Sequence, residues 1–165
     1  THPPVDAARQ RDLFMTLISA AVSVSAPDPV AELMAGSHRT WLTLTEERAR
    51  LAGTWARWFE AFDVLLCPVM PTTAFVHDEA GSIADRSVVI DGALRPHFDL
   101  LTWLGMIGVI GLPATVVPLP HATDGLPVGV QVVTPYLRDL DAIAFGGILA
   151  GAAGGGYRPP PIAGQ

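Results

Sequence analysis

Residues Leu100 to Val133 read LLTWLGMIGVIGLPATVVPLPHATDGLPVGVQVV, and the stretch is built around a doubled opening. Gly111-Leu112-Pro113-Ala114 leads into Thr115-Val116-Val117, and Gly125-Leu126-Pro127-Val128-Gly129-Val130-Gln131 leads into Val132 and Val133. In both, a glycine and a proline punctuate the chain and β-branched residues follow, the pattern of a loop that opens a buried strand. Pro118, Pro120 and Asp124-Gly125 separate the two. No Asp, Glu, Lys or Arg occurs from Leu100 to Thr123, so the segment belongs in an interior. It is long enough to span a bilayer. Its prolines and glycines break it as a helix, however, and irregular backbone in lipid leaves polar groups unsatisfied. No membrane span is expected.

Upstream, Leu13, Leu17, Ala20, Ala21 and Val24 recur at spacings of three and four, which predicts a helix over 5–24 with that face buried. A short helix is expected over 30–35. Thr43 with Glu46 forms a capping box opening a helix over 44–62. Its face of Leu51, Trp55, Trp58, Phe59 and Phe62 reads as core. Val64-Leu65-Leu66 reads as a short buried strand ended by Pro68, and 72–85 as a loop. Ser87 to Arg95 has the pattern of a hairpin, with Asp91-Gly92 as a type I′ turn. Pro96 is placed at the first position of a helix running to about Ile107. A last helix is expected over 137–153. Gly154 to Gln165, with its Gly and Pro runs, reads as a flexible tail.

The chain has 165 residues, enough for one domain; half are hydrophobic and 16% are charged, which excludes a disordered chain. A net charge of −6 without basic runs offers nothing to neutralise phosphates, so nucleic acid is excluded as a partner. The single cysteine, Cys67, allows no internal disulfide and fits a reducing, cytoplasmic location. No basic, apolar and small-residue succession of a signal peptide opens the sequence. All ten basic residues are arginine and none is lysine; the six serines, at 19, 23, 25, 37, 82 and 87, are never adjacent.

Taken together, these blocks resemble the C-terminal part of the amidase signature family, serine amide hydrolases that include fatty acid amide hydrolase and the A subunit of aspartyl/glutamyl-tRNA amidotransferase. The resemblance spans about residues 40 to 161. It rests on Trp103, Leu112-Pro113-Ala114, Gly125 to Gln131, Asp139 to Asp141 and, upstream, Phe62-Asp63-Val64-Leu65-Leu66-Cys67-Pro68. Thr134-Pro135 stands where Gly-Pro is usual. The resemblance implies an α/β fold with helices packed on part of a mixed β-sheet, an incomplete amidase signature fold. Residues 1–165 would then be the C-terminal portion of one amidase domain, and a start at Thr1 rather than Met fits such a fragment.

Amide hydrolysis needs an activated nucleophile, a proton shuttle and donors for the oxyanion. The family is known to supply a serine, a second serine in a cis peptide and a lysine base. The serines lie in a Ser-Ser-Gly-Gly segment that precedes the part matched here. This sequence has neither that segment nor a lysine, and arginine stays protonated, so it cannot serve as the base. Cys67 with His77 or His97 is the remaining nucleophile candidate, against which Cys67 reads as a buried strand residue. Ser82 lacks a nucleophile elbow. His77-Asp78-Glu79 reads as structural rather than as a metal site, and Asp139 and Asp141 as helix-start residues. No catalytic residue, metal or cofactor is therefore assigned.

The resemblance further implies that the helix before Leu-Pro-Ala lines the acyl pocket, which places Phe98, Leu101 and Gly105 on a substrate wall; ordinary core is the competing reading. The expected function is the C-terminal part of an amidase that converts a carboxamide to an acid plus ammonia or an amine. Its partners are a small amide and the missing N-terminal amidase region. The alternative is a truncated, non-catalytic paralogue or remnant that binds a small amide or a partner chain. If the missing region covers the sheet and the tryptophan helix, Trp55 and Trp58 should belong to an apolar patch open to solvent.

Overall fold

A computed structural model describes residues 2–25, 36–120 and 125–154. The helix expected at 30–35 and the tail from Gly155 onward lie outside the described residues. Three helices, α1 (Ala7–Ser25), α2 (His38–Trp58) and α3 (Thr102–Gly108), gather on one face of a three-stranded sheet. The sheet comprises β1 (Leu65–Pro68), β4 (Ala114–Pro118) and β5 (Gly129–Val133), in the order β1-β5-β4. A hairpin of β2 (Ser87–Ile90) and β3 (Ala93–Pro96) stands apart from it, and α4 (Asp139–Ala152) covers the second face.

Both expected strands form, and the glycines that open them share one cause. Gly111 and Gly125 have φ of +70° and +78°, a left-handed turn that a side chain disfavours, after which Leu-Pro leaves the chain extended. The two strands pair antiparallel, Ala114 opposite Val133 and Pro118 opposite Gly129. β1 pairs antiparallel with the other side of β5, Leu65 opposite Val133 and Cys67 opposite Gln131. Opposed residues share a face. Leu65, Cys67 and Val133 therefore enter the core with Leu13, Leu17, Trp55, Met106 and Ile107. On the reverse face, Thr115 and Val117 lie beneath α4 so closely that a Cβ on Gly146 would come within 3.0 Å of Thr115 Cγ2.

Several boundaries differ from expectation. The capping box at Thr43 is not the start of α2. Ser37 is the N-cap, accepting from the Thr40 N–H at 3.2 Å, and Thr43 sits inside the helix, where its hydroxyl donates to the Arg39 carbonyl. Pro96 is not the first helical residue. Its ψ of 141° keeps it extended as the last residue of β3, paired with Ser87, and it caps a 3₁₀ helix, His97–Leu101, that precedes α3. The hairpin turn holds as read, with Asp91 and Gly92 both at positive φ. On α1 the buried face ends at Leu17; Ala21 and Val24 are exposed on the last turn. α4 starts two residues later than expected because Leu137 is left-handed, with φ of 63°.

Trp55 is also corrected. It is fully buried beneath α1, its indole N–H donating to Gln10 Oε1 at 2.9 Å. Trp58 is half-buried and stacks on Phe62 with centroids 4.5 Å apart. The helix that covers Trp55 belongs to this chain, so no outside region is needed there.

Candidate functional site: a substrate wall and its anchor

Phe98 and Leu101 fall in the 3₁₀ helix His97–Leu101 and Gly105 in α3. A 3₁₀ turn repeats every three residues, so Phe98 and Leu101 lie in one row, and both are half-buried. Gly105 is buried, and the space above it is filled by the Phe14 ring of α1. A Cβ at Gly105 would stand 3.2 Å from Phe14 Cδ1, so the glycine lets α1 cross close over α3.

Between Phe98 and Leu101 lies a residue that the sequence pattern does not single out. Asp99 is only 7% exposed. Its carboxylate accepts from Arg11 of α1 and, through the other oxygen, from Arg95 Nε of β3 at 2.8 Å. Two guanidinium groups from separate elements thus fix the 3₁₀ segment, and each charge-assisted bond is stronger than a neutral one. The Arg95/Asp99 spacing of four was a usable local signal. Arg11 was not legible, since only the tertiary fold brings α1 there.

The glutamine that ends Gly-Leu-Pro-Val-Gly-Val-Gln has a structural task. Gln131 is buried, and its Nε2 donates to the Pro68 carbonyl at 2.8 Å, tying β5 to the end of β1. Gly129 in the same motif leaves room for its neighbour, since a Cβ there would meet Val116 Cγ1 at 3.0 Å. Thr134, where Gly is usual in the family pattern, is fully buried and donates its hydroxyl to the Arg138 carbonyl at 2.9 Å.

The nucleophile candidate fares poorly. Cys67 is buried in the core, and burial pushes its thiol up to about 11, so it carries no thiolate near neutrality. His97 packs edge-on against Phe75, with ring centroids 6.1 Å apart. Asp78 closes a local turn by accepting the Ala80 N–H. Asp141, in the first turn of α4, accepts from Arg138. Among the described residues, no group of three His, Cys, Asp or Glu is placed to hold a metal ion, and no helix is long and apolar enough to cross a membrane.

Two hollows flank α3 and its ends. One, of about 280 Å³, lies between β1 and the helix and is lined by Leu66, Cys67, Pro68, Thr102, Trp103 and Met106, among others. The other is an open groove of about 880 Å³ between α2 and the Gly111 turn, with Arg48, Ala52, Glu60 and Tyr136 on its walls. Phe98, Leu101 and Gly105 line neither.

Residues 16–141 match the model of the family described as Amidase, which is most of the chain, and the chain belongs to that family. Over 81 residues it is 41% identical to the A subunit of a glutamyl-tRNA(Gln) amidotransferase from Prochlorococcus marinus (strain MIT 9313), covering 49% of this chain and 15% of that protein. Over 111 residues it is 30% identical to a 6-aminohexanoate-cyclic-dimer hydrolase of Pseudomonas sp. (strain NK87), covering 61% of this chain and 21% of the hydrolase. A solved bacterial aryl acylamidase of the amidase signature enzymes superposes with a TM-score of 0.71 at 19% identity, covering 92% of this chain and 35% of the acylamidase. That likeness shows the fold, an amidase signature fold present in part. The chain thus spans about a third of the acylamidase and about a fifth or less of the two curated relatives.

Proposed function

We propose that this chain is the C-terminal portion of an amide hydrolase that releases ammonia or an amine from a carboxamide. On this reading the serine pair and the lysine base come from polypeptide outside this sequence. The observation that carries the proposal is the match over 16–141 in a sequence with no lysine and no adjacent serines. An amide nitrogen leaves only if it is protonated as the tetrahedral intermediate collapses, and that intermediate forms only after a nucleophile has given up its own proton to a base. The arginines hold their protons, and the Cys67 thiol stays neutral.

What the chain contributes is a wall. The acyl part of the substrate runs along the face of Phe98, Leu101 and Gly105, and Asp99, held by Arg11 and Arg95, sets the orientation of the first two. At Gly105 the Phe14 ring occupies the adjoining space in this chain, so the substrate passes there only if α1 is displaced in the complete enzyme. The test is ammonia release from simple amides by the purified chain. No turnover is expected; turnover that follows the protein through purification and survives Cys67→Ala would refute the reading.

A further inference from the structure

We draw no further inference here: the strongest candidate, the hollow of about 280 Å³ between β1 and α3 lined by His2, Cys67 and Met106, offers soft donors to a metal ion but rests on a lone buried cysteine, with no second observation that points to a ligand there.

Discussion

Gly105→Leu separates packing from pocket at the most constrained point of the candidate wall. An ideal Cβ at Gly105 lies 3.2 Å from Phe14 Cδ1 and 3.3 Å from Phe14 Cβ and Cγ. Even a methyl group must therefore push the ring by a few tenths of an ångström, and leucine adds three more carbons. Overpacking of that kind costs about 1–3 kcal/mol. Replacing a helical glycine returns up to about 1 kcal/mol, so a net loss of about 1–2 kcal/mol is expected. Phe14→Ala alone should cost about 2–3 kcal/mol, somewhat below a fully buried phenylalanine, because Phe14 is half-buried. In the double variant the leucine occupies the vacated space, and a favourable coupling of about 1–2 kcal/mol should appear. Urea melts followed by tryptophan fluorescence supply the cycle. Additivity within about 0.5 kcal/mol, or a Gly105→Leu protein more stable than the parent, would refute the contact as described.

Ser37→Ala should cost about 1 kcal/mol as the loss of an N-cap, whereas Thr43→Ala should be close to neutral or stabilising; thermal melts reversing that order would restore the capping box to Thr43. Cys67 gives a pH signature. The folded thiol keeps its proton up to about 11 while the unfolded one loses it near 9.0. Its contribution is intact below pH 9 and is lost as pH rises toward 11, by about 2–3 kcal/mol in all. Cys67→Ala should flatten that part of a stability–pH profile, and an unchanged slope would contradict a buried thiol.

Local chemistry was legible where one or two residues decide the backbone. Gly111 and Gly125 announced their turns, and Asp91-Gly92 its hairpin, because few residues take positive φ without strain. The start of α2 was ambiguous because Ser37 and Thr43 both offer a capping hydroxyl. Glu46 completes the capping pattern only for Thr43, yet in the fold Arg50 takes the Glu46 carboxylate. Pro96 was equally ambiguous because its fixed φ suits both a helix start and a strand end, and pairing with Ser87 decides between them. The anchor at Asp99 and the filling of Gly105 by Phe14 depend on α1 folding back across α3, a contact that no local spacing encodes. Likewise α4 was legible as an apolar helix, while its close seat on Thr115 and Val117 emerges only once the sheet is laid out.

The most direct measurement of the central claim is covalent labelling of the purified chain with a fluorophosphonate, a serine-hydrolase reagent, read by intact mass. A chain that holds the amidase fold without its nucleophile should take up no reagent, and none of its six serines should outpace the same serine in urea. A stoichiometric adduct on one serine of the folded chain, abolished by unfolding, would show that the nucleophile lies in this sequence after all.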